Sequence, residues 1–210
     1  MFDARGKKQR GNEKGNWYRR NRSGNYLPKE KRRVRSEIAL AKPLLLTADP
    51  ELRLRFAVET DTGLILTLIK ELADYERLSD KVVTDEDSLR QSLFEGRNVA
   101  EVLIADHSDE PAGFALFFHN YSTFLGKAGL YLEDLFVRER FRGCGIGRAM
   151  LACLARIAVD RDCGRLEWAV LKWNEPAIRF YESLGGRPLN EWTVFRLSGD
   201  ALAGLAKECP

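Results

Sequence analysis

Three glycines stand between two arginines in the stretch RFRGCGIGRAM, residues 140–150, directly before a run with helical spacing. The start of a helix leaves backbone N–H groups without intrahelical partners and carries a positive end of about half a charge. Glycines remove the side chains that would keep a bulky anion away from those groups. The stretch therefore predicts a loop that binds a phosphate-bearing ligand.

The spacing of these glycines excludes two common phosphate-binding loops. A Walker loop needs Lys-Ser or Lys-Thr after its last glycine, and neither follows here. A dinucleotide-binding loop needs a third glycine where Arg148 stands, and it lies in the first strand-helix unit, whereas this loop follows several predicted strands. What remains is the pattern R-x-x-G-x-G, formed by Arg142, Gly145 and Gly147, and we call residues 142–148 the glycine loop.

The cysteines and histidines do not indicate a metal site. The four cysteines form no C-x-x-C pair, and the chain has two histidines, His107 and His119, as further candidate metal ligands. We expect reduced structural thiols, with Cys144 contributing its backbone to the glycine loop rather than a nucleophile. No run is apolar enough for a membrane span or a signal peptide, so we expect a soluble protein of the cytoplasm.

The formal net charge of +3 is divided unevenly along the chain. Residues 1–42 carry 14 Lys and Arg against 4 Asp and Glu, a net charge of +10, and the remainder carries 20 against 27, a net charge of −7. Because the first segment is poor in aliphatic residues, we predict a disordered basic extension over residues 1–48 and one domain over residues 49–210. Aromatic residues between the arginines suit weak RNA or DNA contacts, with a solvated tail or a wrongly assigned start codon as the alternatives.

Periodicity in the remainder predicts the element order β-α-α-β-β-β-α-β-α-β. Alternating apolar residues predict strands over residues 52–58, 99–107, 112–119, 129–137, 164–171 and 192–197. Helical spacing and capping signals predict helices over residues 60–78, 84–94, 147–162 and 174–186, with Thr84 as the N-cap of the second. Three consecutive strands joined by turns predict an antiparallel meander. The fold class is therefore α/β, with a mixed, mostly antiparallel sheet and helices on both faces.

Several segments together resemble the GNAT superfamily of N-acetyltransferases. The strand LEDLFV precedes the R-x-x-G-x-G pattern, an amphipathic helix follows it, and WNEPAIRFYESLGG comes later, at residues 173–186. The runs IKELADYERL, STFLGKAGLYLEDLFV and KWNEP are similar to its diamine acetyltransferase branch, the spermidine/spermine and thialysine acetyltransferases. The resemblance extends from about residue 52 to about residue 205. It implies the acyl-CoA N-acyltransferase fold, acetyl-CoA as co-substrate without a metal, and a homodimer.

The resemblance also implies a set of site residues. Asn174 matches a cofactor-contacting position, and Tyr181 matches the tyrosine that protonates the departing thiolate. Tyr75 and Glu76 match positions that contact the amine, where Glu133 also lies. The implied acetyl-CoA contacts are Leu135, Phe136, Val137, Arg142, Gly143, Cys144, Gly145, Ile146, Gly147, Arg148 and Asn174.

A base is needed because an alkyl amine with a pKa of about 10.4 is almost fully protonated at pH 7, and removing that proton costs about 4 to 5 kcal/mol. Glu133 is the candidate, and two-residue alternation predicts that it shares a strand face with Tyr131, Leu135 and Val137. For the adjacent Asp134 we expect a structural or rim role. Attack by the amine is then direct, within one ternary complex.

Residue 122 bears on the choice of acceptor. Polyamine-acetylating members of the family that this loop resembles carry an acidic residue where Ser122 stands, and that carboxylate suits a distant second ammonium group. We therefore expect a thialysine-like or lysine-like amine, or another small primary amine. A protein amine as acceptor, and an acetyl-CoA sensor with a nucleic-acid-binding tail, are the alternative functions.

Overall fold

A computed structural model describes residues 18–20, 26–28, 45–46, 49–96 and 98–209 of the 210-residue chain. Most of the predicted basic extension lies outside these residues. The chain divides into two units, residues 1–166 and residues 167–210. No helix in the described ranges is long and apolar enough to cross a membrane.

The strands of the first unit form an antiparallel sheet. A short hairpin pairs β1 (Tyr18–Arg20) with β2 (Tyr26–Pro28). The sheet proper has the order β3-β4-β5-β6-β7, each strand antiparallel to the next. Its strands are β3 (Leu45–Leu46), β4 (Leu52–Phe56), β5 (Glu101–His107), β6 (Glu110–Ser122) and β7 (Lys127–Val137). The predicted meander is confirmed.

Helices cover both faces of this sheet. On one face, α1 (Thr62–Tyr75) and α2 (Glu86–Leu93) pack with Phe114 and Phe136 in one buried apolar cluster. Leu103 and Ala115, which have the opposite parity on their strands, are also fully buried, so the second face is covered too. The helix α3 (Ile146–Asp160) contacts β5 and β7 and covers that face. Its predicted inward residues are all buried: Met150, Leu151, Leu154, Ile157 and Ala158.

A β-bulge interrupts β7 at Glu133. Leu116 of β6 pairs with Asp134 and the next residue, Phe117, pairs with Leu132, so Glu133 is the extra residue of β7. The alternation of side chains therefore changes phase at this point. Tyr131 pairs with Phe118 and Leu135 pairs with Ala115, three positions apart on β6, so the two side chains lie on opposite faces. The predicted common face for Tyr131, Glu133, Leu135 and Val137 is wrong for this reason.

Two local predictions differ from the structure. The N-cap of α2 is Asp85, whose carboxylate accepts a hydrogen bond from the Ser88 N–H at 2.9 Å, rather than Thr84. Aspartate is an equally good cap, and its position one residue later places its carboxylate within reach of the N–H of the third helical residue. The predicted strand over residues 192–197 has no regular secondary structure, although its apolar alternation is strand-like.

The second unit contains two helices. The strand β8 (Leu166–Trp168) leads into it from the first unit, and α4 (Glu175–Ser183) and the unpredicted α5 (Gly199–Ala206) follow. Asn174 caps α4 by accepting from the Ala177 N–H at 3.3 Å, and Pro176 lies in the first turn, where its missing N–H costs nothing. Gly185 ends this segment with a φ of 88°, as predicted for a glycine stop.

An ion-pair network fixes the beginning of α1. The guanidinium of Arg55 donates to both carboxylate oxygens of Asp61, at 2.7 and 3.0 Å, and to Asp106 of β5 at 2.9 Å. Burial alone would raise the pKa of Asp61, but hydrogen bonds from Arg55 and the Val58 N–H bring that pKa below its usual value. The network therefore ties the first turn of α1 to two strands of the sheet.

Replacing Arg55 with methionine should lower the free energy of unfolding by about 2 to 3 kcal/mol, because the buried Asp61 loses its charged partner and the buried Asp106 keeps its pair with Arg53 but loses the one with Arg55. Urea unfolding followed by circular dichroism measures the change. The control is Arg156→Met, which removes an exposed pair with Asp160 on α3 and should leave the free energy of unfolding nearly unchanged. Equal losses in the two variants would contradict a structural role for the Arg55 network.

Candidate active site

Two glycines of the glycine loop have backbone conformations that other residues adopt with strain. Gly143 has a φ of 83° and Gly145 a φ of 78°, both in the left-handed region. A Cβ at either position would meet no atom within 4 Å. The backbone conformation, rather than crowding by the protein, therefore requires glycine here, and the space beside the loop is open to a ligand.

The loop presents a row of backbone donors. Within the part of the chain that the structure describes, the N–H groups of residues 143–148 have no backbone acceptor, and the first bond of the helix runs from Ala149 to the Gly145 carbonyl. The first turn of α3 has no acidic residue and contains Arg148. Six consecutive amides at a positive helix end fit a pyrophosphate. Arg142 is not part of this row, because its own N–H donates to the Glu139 carbonyl at 3.0 Å.

The end of β7 supplies further backbone donors. The Arg138 N–H donates to Ala112, next to the first residue of β6 that pairs with β7. Because N–H directions alternate along a strand, those of Leu135 and Val137 point away from β6. Phe136, between them, has its side chain in the core cluster with α1. The predicted strand-like pairing of Leu135 and Val137 with a ligand is therefore stereochemically available.

Three carboxylates form an acidic cluster, namely Glu76, Glu133 and Asp134. Burial raises the pKa of Asp134 to about 6, and the negative charges of Glu133 and Glu76 add to the increase. Burial also raises the pKa of Glu76, the C-cap residue of α1. Asp134 thus lies toward α1, on the strand face that also carries Phe136.

The sequence analysis did not predict the inward orientation of Asp134. Two adjacent carboxylates inside an apolar strand signal that one of them faces inward, but alternation alone cannot decide which one. The bulge gives the inward position to Asp134 and leaves Glu133 exposed. Asp134 is therefore a half-buried carboxyl group with two negative charges nearby, a setting that also suits a role in proton transfer.

The last residue of α1 contacts the glycine loop. The guanidinium carbon of Arg142 lies 4.3 Å from the centroid of the Tyr75 ring, and its Nε donates to the Val137 carbonyl at 3.0 Å. The structure therefore brings together the predicted amine-side residues Tyr75 and Glu76 with the predicted cofactor-side residue Arg142.

The remaining predicted residues lie in exposed or separate positions. Cys144 is exposed, and its thiol lies 3.9 Å from the Arg142 carbonyl. In the second unit, the ring of Tyr181 packs against Trp168 and Phe180, with centroids 5.1 and 5.4 Å apart. The predicted roles of Asn174 in cofactor binding and of Tyr181 in catalysis stay predictions.

Comparison with known proteins gives consistent matches. Residues 66–186 match the Acetyltransferase (GNAT) family. The chain is 41% identical over 165 residues to a thialysine N-epsilon-acetyltransferase of Sus scrofa, covering 73% of this chain and 96% of the relative. It is 34% identical over 200 residues to an L-ornithine N5-acetyltransferase of Arabidopsis thaliana, covering 74% of this chain and 88% of the relative.

Solved structures show the same fold. An integron cassette protein from the mobile metagenome of V. cholerae is 28% identical, with a TM-score of 0.65 over 75% of this chain and 98% of the other. An aminoglycoside acetyltransferase from a soil metagenome is 19% identical, with a TM-score of 0.60 over 73% of this chain and 98% of the other. The predicted fold class is confirmed.

Replacing Gly145 with alanine should weaken acetyl-CoA binding by about tenfold or more, because the left-handed conformation that aligns the six amides becomes strained by roughly 1 to 2 kcal/mol. Isothermal titration calorimetry measures the dissociation constant. Gly126→Ala is the matched control, since Gly126 also has a positive φ of 63° and open space around it, but lies in the turn between β6 and β7. Similar weakening in both variants would contradict a specific role for the glycine loop.

Proposed function

The chain belongs to the GNAT acetyltransferase family, in its diamine acetyltransferase branch, and we propose that it acetylates the primary amine of a small molecule resembling thialysine or lysine. The observation that carries the proposal is that one strand, β7, carries two carboxylates of the acidic cluster, at residues 133 and 134, and leads beyond its end into the loop with the six-amide anion site. The first suits the pyrophosphate of acetyl-CoA, the co-substrate of this family, and the second suits a cationic amine.

The acidic cluster supplies the base. A carboxyl group with a pKa of about 6 is ionised at neutral pH and is still a better proton acceptor than an ordinary aspartate. We propose that Asp134 takes the proton of the acceptor ammonium, directly or through a water molecule. Glu133, the residue expected from sequence, and Glu76 then attract the ammonium by their negative charges.

Backbone groups and one tyrosine complete the reaction. The outward N–H groups of Leu135 and Val137 would hold the acetyl carbonyl and the pantetheine arm, and developing charge on that oxygen would strengthen these hydrogen bonds. Tyr181 would donate its proton to the departing thiolate. The neutral amine attacks the acetyl carbonyl directly, so that Cys144 need not act as a nucleophile.

Two observations support an acceptor of the lysine type. Similar relatives carry the names of thialysine and ornithine acetyltransferases, whose acceptors are amino acids with a side-chain amine. Ser122, where the polyamine-acetylating members have an acidic residue, is buried, and its hydroxyl accepts a hydrogen bond from the Leu125 N–H at 3.2 Å. The position is therefore used to close a turn rather than to bind a second ammonium.

We also propose a homodimer in the cytoplasm. The exposed apolar residues of the segment 192–197, among them Val194 and Phe195, favour a protein partner over solvent. All four cysteines are free thiols, which suits a reducing compartment.

A thiol-release assay with acetyl-CoA tests the function against thialysine, lysine, putrescine, spermidine and a peptide with a free N-terminus. We expect the largest kcat/KM with thialysine or lysine, a loss of about 100-fold in Tyr181→Phe, and a smaller loss in Glu133→Gln, because Asp134 stays as the base. Asp160→Asn, on an exposed turn of α3, is the control. No turnover of any amine, with acetyl-CoA still bound tightly, would contradict the proposal.

The pH dependence of kcat/KM tests Asp134 separately. The carboxyl group is protonated below its pKa of about 6 and cannot accept a proton there, so activity should fall as the pH drops through 6. In Asp134→Asn the fall in activity near pH 6 should disappear, and the remaining activity should be low at every pH. If kcat/KM of the variant still falls near pH 6, the titrating group is another residue.

A further inference from the structure

The two ends of the glycine loop are anchored differently. At its C-terminal end, Ile146 and Met150 of α3 are buried in the core. At its N-terminal end, the loop follows a single 3₁₀ turn, Glu139–Phe141, which has no buried residue and which we call the lead-in turn. A Cβ at Gly143 or Gly145 would meet no atom within 4 Å. The position of the first half of the loop therefore depends on the contacts that hold the lead-in turn.

The hairpin of β5 and β6 supplies these contacts. His107 and Glu110 lie opposite each other where β5 ends and β6 begins. The ring of His107 packs against the ring of Phe141 with 5.7 Å between the centroids, and the Glu110 carboxylate accepts a hydrogen bond from the Arg140 guanidinium at 2.6 Å. The guanidinium carbon of Arg140 lies 4.8 Å from the centroid of the Phe141 ring. These four side chains form a closed set of contacts, which we call the hairpin clamp.

The ring of His107 is itself held from the opposite side. Its Nε2 lies 3.3 Å from a carboxylate oxygen of Asp49, and its Nδ1 lies 3.3 Å from the hydroxyl of Ser108. That hydroxyl donates to the carboxylate of Glu51 at 2.8 Å. The His107 side chain is only 16% exposed. The ring is therefore a fixed surface for Phe141 rather than a mobile group.

The backbone between β5 and β6 is strained at the clamp. Ser108 has a φ of 50° and Asp109 a φ of 60°, and positive φ at both central residues is what a type I′ turn requires. Glycine adopts this conformation without strain, but neither residue is a glycine. Strain that the surrounding structure maintains is typical of functional segments. Here the turn determines where His107 and Glu110 meet the lead-in turn.

We propose that His107 and Phe141 are positioning residues for the acyl-donor site, and that they act by holding the lead-in turn. The amides of residues 143–145 then keep the alignment that a pyrophosphate needs, because a small misplacement of preorganised donors weakens binding. The inference rests on the proposed acetyl-CoA site at the glycine loop. Neither residue is a predicted acetyl-CoA contact or a member of the acidic cluster, so the clamp affects donor binding and not the proton transfer at β7.

The test compares Phe141→Leu, His107→Leu and the double variant with the wild-type protein. Isothermal titration calorimetry gives the dissociation constant for acetyl-CoA, and a thiol-release assay gives kcat at saturating concentrations of both substrates. Each single variant should raise the dissociation constant by about 5- to 20-fold and change kcat by less than about twofold. The double variant should bind no more weakly than the weaker single variant, because both changes remove the same contact. Phe141→Tyr keeps the ring and should bind like the wild type.

Phe56→Leu is the matched control. It removes a similar ring contact of the same sheet, with Phe117 at 6.4 Å between centroids, and should lower the melting temperature without changing the dissociation constant. Hydrogen exchange gives a second measurement, in which the amides of residues 143–145 should exchange faster in Phe141→Leu and unchanged in Phe56→Leu. Thermal melting verifies that each variant is folded, and His107→Leu carries the test if Phe141→Leu is not.

The outcomes separate this inference from the proposed function. Wild-type affinity for acetyl-CoA in both clamp variants, with Gly145→Ala weakened as expected, would overturn the inference alone. An equal loss of affinity in Phe56→Leu would assign the effect to lower stability and would also overturn it. Unchanged acetyl-CoA binding in Gly145→Ala would overturn the proposed donor site itself, together with the role of the clamp.

Discussion

The register of β7 against β6 is the constraint on which the site depends. One extra residue, Glu133, changes the phase of the strand, so Leu132 and Leu135 point to the α3 face while Asp134 and Phe136 point to the α1 face. Removing the bulge would carry Phe136 out of its cluster with α1 and α2, and it would move the outward N–H groups at the end of β7 to the wrong edge. Core packing and site geometry therefore specify the same register.

This register also arranges the charges along the strand. The acidic cluster lies at residues 133 and 134, and the row of amides begins at residue 143, beyond the end of the strand. Asp134 and Val137 are three residues apart, roughly 10 Å along an extended chain. The backbone of Leu135 therefore lies between Asp134, on the proposed amine side, and the end of the strand, on the proposed cofactor side. The bidentate pair of Arg138 with Glu71 holds that end of the strand against α1.

Local signals in the sequence were sufficient for the glycine loop, the meander and the inward face of α3, because glycine spacing and periodicity act over a few residues. They were insufficient to predict that Asp134 faces inward. A bulge depends on the register between two strands, and alternation within β7 alone gives the wrong face. The contact between Tyr75 and Arg142 joins residues that are far apart in the chain, and no local pattern encodes it. The segment 192–197 alternates like a strand, but a strand also needs a neighbour to pair with.

The proposed acyl-donor site consists of backbone groups of the glycine loop, whereas the proposed acceptor site depends on side chains of α1 and β7. Mutation can therefore alter the acceptor pocket one residue at a time without disturbing the donor site, provided that the two left-handed glycines remain. Within the loop, the side chain of Cys144 is exposed, and we expect this position to tolerate substitution. A lineage built on this strand can thus acquire new acceptors by small steps while its source of acyl groups stays constant.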